Sequence, residues 1–538
     1  MAELSRFLPW ALAGLGTLVF LFVSPFLALV CFGLFLLGLY DFRQEHHAIL
    51  RNYPLSGRLR FILEYIRPEI RQYFMENDEE KLPFSRNQRA MVYSRAKNQN
   101  DKRGFGTIAA VYGKESEWIG HSACPRQADP KKFRIQIGGA QCTLPYDASI
   151  FNISAMSFGS LSPNAIRALN RGAKMGGFAH DTGEGSVSTY HREFGGDLIW
   201  EIGSGYFGCR TPDGRFDPER FAVQASAPQV KMIEIKLSQG AKPGHGGVLP
   251  AAKVTPEIAD TRGVAPGIDC VSPASHAAFS TPLELMAFIK QLRVLSGGKP
   301  VGFKLCIGHP WEWFAMARAM LASDTYPDFI VVDGSEGGTG AAPVEFSDHV
   351  GMPLREGLRL VHNTLVGIGK RKQISIGASG KIISAFDIAR AIALGADWCN
   401  SARGFMFALG CIQSRSCHTD HCPTGVATQD PSRQRALVVP DKAERVQHFH
   451  GQTVKALADL VGAAGLLHPA DISADHIMVR DGSGQAVPLA LTLPTLKPGA
   501  LLNKKAVASL PEPFLTYWPV SSEHAFSRLS QENASMPF

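Results

Sequence analysis

Residues 373–404, QISIGASGKIISAFDIARAIALGADWCNSARG, decide the fold. A short apolar run closing on Gly377-Ala378-Ser379-Gly380 is followed by SAFDIARAIALGA, whose apolar positions recur at helical spacing, and then by a second apolar run, DWCNSARG. Strand, helix and strand in that order make one parallel unit. Upstream, IFNISAMSF, FAHDTGEG, VKMIEIKL, PVGFKLCIG and DFIVVDG read as further buried strands, with PNAIRALNRGAKMGG, TPLELMAFIKQLRVL and WEWFAMARAMLA as helices between several of them. Such alternation over roughly 270 residues predicts an α/β fold of the (β/α)8 barrel type, with a doubly wound sheet as runner-up. A barrel carries its active site at the C-terminal ends of its strands. Ser157, Glu184, Lys236, Lys304, Asp333 and Gly377 each end or follow a predicted strand.

The chain has 538 residues, more than one such barrel needs. From Phe7 to Tyr40 there is no charged residue. One helix of that length would rise about 50 Å, against a hydrocarbon core of roughly 30 Å. Ser24-Pro25 falls near the middle, so residues 1–42 are expected to form a transmembrane helical hairpin, with one tilted span as the alternative. No small-x-small site closes the run, which disfavours a cleaved signal peptide. Arg43, His46, His47, Arg51, Arg58 and Arg60 follow, a positive flank that predicts a membrane protein whose catalytic domain faces the cytoplasm. Residues 43–145 read as a connecting region packed on the barrel, with amphipathic helices in FILEYIRPEIRQYF and LPFSRNQRAMVYSRAK and a turn at DKRGFGT. The barrel itself is assigned to 146–435. Residues 436–538 read as a C-terminal helical extension, KAERVQHFHGQTVKALADLVGAAG, and a polar tail. The net charge of +7 comes without any basic run interleaved with aromatics, so no nucleic-acid partner is inferred.

Three of the ten cysteines, Cys411, Cys417 and Cys422, stand within GCIQSRSCHTDHCPTGVATQD as C-x5-C-x4-C, with Pro423 after the last. Thiolates this close repel one another unless a soft metal or an iron–sulfur cluster neutralises them. Zinc, with His418 or His421 as a fourth ligand, is an alternative, as are three inert buried thiols, but the spacing fits no usual zinc knuckle. Three ligands suggest a cluster lacking one cysteine-held iron. The other seven cysteines are scattered, as in a reducing compartment.

Glycine-rich turns point to a phosphate-bearing cofactor. Glu336–Gly340 (EGGTG, with Gly338 at its centre), Gly377–Gly380 (with Ser379) and Ser401–Gly404 (with Ala402 and Arg403) occur in the later part of the barrel, where backbone amides and helix N-termini grip phosphates. Neither a dinucleotide fingerprint nor a P-loop is present, so flavin mononucleotide is preferred. Lys304 is suited to the N1 and O2 edge of a flavin, where negative charge develops on reduction. The long loop IEIKLSQGAKPGHGGVLPAAKVTPEIADTR offers Lys236, Gln239, Lys242 and Arg262 to an anionic substrate such as a dicarboxylic 2-oxoacid. Lys253, at the loop's far side, reads as a solvated surface charge.

KLSQGAKPGHGGVLP, EGGTGAAP and GCIQSRSCHTDHCPTGVATQD, in that order, resemble the synthase domain of glutamate synthase over about Tyr146 to Arg435. The resemblance implies a barrel holding FMN and a three-iron four-sulfur (3Fe-4S) cluster, and an oxidoreductase acting on CH–NH2 donors. It implies that Cys411, Cys417 and Cys422 ligate the cluster, that Lys236, Gln239 and Arg262 contact 2-oxoglutarate, and that Ser157, Lys304, Gly377–Gly380 and Ala402–Arg403 hold FMN. It further implies electron flow from cluster to FMN and hydride transfer to the imine of 2-oxoglutarate and ammonia, giving glutamate. Glu184 matches a glutamate near the point where ammonia enters; it and Lys242 are the candidate catalytic residues.

Departures accompany the matches. His245 stands where the family has Glu and Val248 where it has Gln; Asp333–Ser335 and Gly377–Ser379 also differ, and neither a glutaminase domain nor the C-terminal β-helix is recognisable. Ammonia then comes from solution, from another subunit, or is replaced by a primary amine to give an N-substituted glutamate. A non-catalytic electron-transfer subunit is the reading from another class. The electron donor is left open among ferredoxin, a subunit oxidising NAD(P)H, and a quinol.

Overall fold

The computed structural model describes residues 6–78, 80, 83–503 and 508–529. The ends of the predicted hairpin and tail, residues 1–5 and 530–538, lie outside these, as does Leu82, which opens one predicted amphipathic helix. The chain divides into two compact units, Met1–Arg86 and Asn87–Phe538.

In the first unit, Ser24-Pro25 breaks the apolar run as expected, between helices α1 (Leu8–Phe20) and α2 (Pro25–Arg43). They pack on each other: the Trp10 indole N–H donates to the Phe35 carbonyl at 3.0 Å, and Gly38 leaves room for the Trp10 ring. Helix α2 is long and apolar enough to cross a membrane by length and composition; α1, at 13 residues, is shorter. At the base, buried Asp41 is gripped through both carboxylate oxygens by Arg58.

The second unit is built on a closed barrel of eight parallel strands. They are β1 (Phe151–Ile153), β2 (His180–Asp181), β3 (Leu198–Ile202), β4 (Val230–Lys236), β5 (Val301–Leu305), β6 (Phe329–Asp333), β7 (Ser375–Ser379) and β8 (Trp398–Ser401), closed by pairing of β8 with β1. The (β/α)8 expectation therefore holds and the doubly wound sheet does not. Strand β3, LIWEI, is one that the sequence reading passed over.

The predicted helices form at α3 (Pro163–Gly176), α4 (Pro282–Leu295), α5 (Pro310–Ser323) and, after one helix not foreseen at Leu354–Gly367, α6 (Ala385–Ala393). Their boundaries are written locally. Ser162 caps α3, whose chain exits through left-handed Gly177, and Ser384 with Asp387 makes a capping box for α6. The helical extension forms α7 (Val439–Ala463). It lies on α3 where Gly172 carries no side chain; a Cβ there would sit 2.7 Å from the Ala443 carbonyl.

A hairpin of Arg134–Ile137 and Tyr146–Ser149 contributes Ile137, Tyr146 and Ala148 to the buried cluster of Ala179, Ile199, Met232, Phe329, Val331 and Trp398 at the strand starts. This plugs the N-terminal mouth and leaves the C-terminal mouth for chemistry. Within the second unit, Glu117 receives Arg355 at 2.6 and 2.8 Å and Arg390 at 2.8 Å.

Candidate functional site

The strand order brings three groups of residues to the C-terminal mouth. The first comes from the β2–α turn and the long loop after β4. Glu184 and Lys236 form an ion pair at 3.0 Å, and Gln239 accepts from the Lys236 ammonium at 3.3 Å. Gly203 and Gly247 face the Glu184 carboxylate, which occupies the space a Cβ at either would need. Burial opposes ionisation of Glu184, but the Lys236 charge and hydrogen bond, then Arg262 and Lys242, outweigh it and hold the carboxyl below its ordinary range. His276, absent from the sequence reading, braces this pair: its ring contacts the Lys236 carbonyl at 2.9 Å and the Tyr206 hydroxyl at 3.1 Å, and burial pushes its pKa down to about 4.

Beside this pair lie two buried cations with no carboxylate partner among the described residues. Arg262 donates to the Phe158 carbonyl at 3.1 Å, stands 3.5 Å from the Ser157 hydroxyl and 5.2 Å from the Phe207 ring centroid, and leaves its Nε without a hydrogen bond. Among the described residues Lys242 donates to the carbonyls of Gly246 and Ala341, at 3.2 and 3.4 Å. Burial, then the neighbouring Lys236, lower the Lys242 pKa against the pull of Glu184. One carboxylate among three cations leaves this pocket two positive charges in excess. An isolated buried charge is costly, so the arrangement suits an anionic ligand. His245 turns its Nδ1 to the Gly246 carbonyl and its ring edge to Phe346, and Val248 sits in a two-residue strand opposite Val271.

The second group lies one layer down, inside the barrel. Lys304 is the fourth residue of β5 and is buried, not at a strand end. Its ammonium is ion-paired with Glu201 of β3 and with Glu234 of β4, 3.1 Å from Oε1. Asp181 completes a trio of buried carboxylates whose oxygens lie within 4.8 Å of one another. Neither Glu234 oxygen receives an aligned hydrogen bond despite the ion-pair distance, and Asp181 Oδ2 is likewise unpartnered. Three carboxylates cannot all stay ionised against one ammonium. Burial and Glu201 raise Asp181 to about 7, and burial raises Glu234 well above its usual range. Lys304 thus lies inside the barrel against this trio, where the sequence suggested the flavin edge or a lysine snorkelling from a strand end.

The third group gathers the glycine turns and the cysteine loop. Gly377 belongs to the middle of β7, where its missing Cβ admits the Trp398 ring; it is a packing glycine rather than a phosphate turn. Ser379 ends that strand and donates to Asp333 at 2.7 Å. Gly380 is the turn residue, with φ +146°. Ala402 precedes the helix Arg403–Leu409, and Arg403 makes no ion pair among the described residues, touching Met406 Sδ at 3.3 Å. Gly338 lies against Arg403, and Gly340 against Cys417. An unpaired guanidinium at a helix start beside a glycine turn suits a phosphate.

Cys411 and Cys422 are buried and Cys417 is half-buried. Their loop bends through left-handed residues Gln413, Arg415, Asp420 and Gly425. Burial pushes the Cys411 thiol up to about 11. It also works against Cys422, but the amide of Ala427, the Thr424 hydroxyl and the amides of Thr424 and Val426 hold Cys422 below its ordinary value. The Tyr93 hydroxyl donates to the Cys411 carbonyl at 2.6 Å.

Lys253 corrects the sequence reading outright. It is 2 % exposed, not a solvated surface charge, and its ammonium points into the cysteine loop.

Residues 137–467 match the family model for the conserved region in glutamate synthase. The chain is 40% identical over 487 residues to the glutamate synthase large subunit-like protein YerD of Bacillus subtilis, covering 83% of this chain and 92% of that protein. It is 38% identical over 315 residues to the archaeal glutamate synthase (NADPH) of Methanocaldococcus jannaschii, and that match covers 58% of each chain. With the archaeal-type glutamate synthase (NADPH) of Thermotoga maritima it shares 35% identity over 314 residues, 58% of this chain and 59% of that one. The match thus spans nearly all of the Bacillus relative and under three fifths of the other two.

Proposed function

Because the chain belongs to the glutamate synthase family, we propose that it is an oxidoreductase that reductively aminates 2-oxoglutarate to glutamate with FMN and a three-iron four-sulfur cluster. The observation that carries the reading is the pair of buried, carboxylate-free cations, Arg262 and Lys242, beside the Glu184–Lys236 ion pair. Their excess of two positive charges matches a dicarboxylic 2-oxoacid, and an electron carrier has no use for it.

Each side chain has a role its surroundings support. Arg262 takes one carboxylate through its fork. Lys236, steadied by Gln239 and His276, is placed for the other carboxylate or the keto oxygen. Glu184 stays ionised in this setting and holds and orients an ammonium ion, accepting its proton as the nitrogen attacks C2. Lys242, with its depressed pKa, is the proton donor to the departing hydroxyl when the imine forms. When bound, the flavin supplies the hydride that reduces the imine carbon and the cluster supplies the electrons that restore it. Gly380, Ala402 and Arg403 would hold the FMN phosphate and Ser157 would also contact FMN; Cys411, Cys417 and Cys422 would ligate the cluster.

Helices α1 and α2 read as a membrane anchor, with the barrel on the cytoplasmic side. The support is the apolar composition of α2, the arginines that follow it and ten unpaired cysteines.

The clamp is tested by Arg262→Ala. Removing one partner of a buried charge pair costs about 2–5 kcal/mol, so kcat/KM for 2-oxoglutarate is expected to fall by a factor of roughly 30 or more while FMN content holds. An unchanged value removes Arg262 from the substrate site.

A further inference from the structure

Lys253 ends a single helical turn, Ala251–Lys253, nine residues before Arg262. Its Nζ donates to the carbonyls of Cys417 at 2.9 Å, Ala427 at 2.9 Å and Ser160 at 3.4 Å. Three acceptors match the three N–H bonds of an ammonium, whereas a neutral amine has two. The described residues offer it no carboxylate within ion-pair distance, although Asp420, Cys417 and Cys422 are near enough to act on it electrostatically. A buried ammonium needs a counter-charge. Here the negative groups that act on it are Asp420 and the sulfurs of Cys417 and Cys422.

We propose that Lys253 is a positioning residue for the iron–sulfur cluster, its ammonium fixing the Cys417–Ala427 arc and serving as the buried counter-charge that favours the cluster's reduced form. The inference rests on the cluster reading above. One-electron reduction would add a negative charge to the cluster, so a fixed cation held on its ligand loop would stabilise the reduced form more than the oxidised. By donating to Ser160 as well, the same ammonium ties the arc to the loop after β1 that carries Ser157 and Phe158, the partners of Arg262.

The test uses the full-length purified protein, with Lys253→Gln removing the charge while keeping an N–H donor and Lys253→Arg keeping the charge. Iron and sulfide content and a redox titration of the cluster followed by electron paramagnetic resonance are the readouts. In Lys253→Gln with wild-type iron content, the oxidised-to-reduced ratio of the cluster at a fixed potential is expected to rise about tenfold. Lys253→Arg is expected to return most of that shift. Iron lost from the Gln variant but kept by the Arg variant supports the same charge dependence. An unmoved ratio in iron-replete Lys253→Gln, or equal effects of both substitutions, overturns the proposal while leaving the cluster reading intact. A wild-type protein without iron and sulfide overturns both, and is recognised as such before any variant is compared.

Discussion

Lys304→Met is expected to destabilise the barrel by about 3–5 kcal/mol, the usual cost of removing one partner from a buried ion pair. Lys304 is the cation facing three buried carboxylates, Asp181, Glu201 and Glu234. With it gone, the folded state must protonate the trio or bury uncompensated charge. The pH dependence follows. A carboxyl whose folded pKa lies above its unfolded value contributes stability that is full below the unfolded value, near 4, and lost as pH rises through the folded one. In the wild type that window closes at about 7 for Asp181. Without the ammonium the folded pKa values move higher still, so the loss steepens and continues into alkaline pH. Thermal melts of Lys304→Met should therefore approach wild type near pH 5 and fall away furthest near pH 9. A variant as stable as wild type at pH 9 would show that the trio is neutralised by something other than Lys304.

The second large effect is expected at the cysteine loop. In Cys417→Ser a hard hydroxyl replaces a thiolate of the proposed three-ligand cluster, and two thiolates would not hold it. Iron and sulfide are expected to fall to background. Turnover with a one-electron donor should fall with them, while much of the FMN stays bound, because Gly380, Ala402 and Arg403 belong to other segments. Full iron and sulfide in this variant would remove Cys417 from the ligand set.

Much of this architecture is legible in the chain. Strands such as DFIVVDG are buried on both faces and read as continuous apolar runs, and helices such as PNAIRALNRGAKMGG carry caps that announce their ends. Strand β3 was harder to see because LIWEI carries Glu201 in its interior, and a charged residue in a short apolar run ordinarily argues for a loop. That glutamate is the informative residue: together with Glu234 inside VKMIEIK and Lys304 inside VGFKL it places three charges in mid-strand, which is tolerable only if they meet. Mid-strand charges are thus the signal that would have found Lys304 and two of the three carboxylates, Glu201 and Glu234; Asp181 ends its strand.

Lys253 and Gly377 were misread for a related reason. Sequence position gives no burial, and a lysine in a proline- and glycine-rich loop resembles solvated surface until the fold brings Cys417 and Ala427 to it from more than 150 residues away. Gly377 looks like part of a phosphate turn, but strand pairing puts it beside Trp398, where it is steric room that counts. Lys236, Gln239, Lys242 and Arg262 could be grouped in the sequence because they follow one another from the end of β4 to Arg262; their surplus of positive charge could not, because that depends on which carboxylates come near.

Flavin reoxidation in the reduced, purified protein tests the central claim most directly. Adding 2-oxoglutarate and ammonia together is expected to reoxidise bound flavin and form glutamate, whereas either alone leaves the flavin reduced. No reoxidation with 2-oxoglutarate and either ammonia or methylamine would contradict reductive amination as the function of this site.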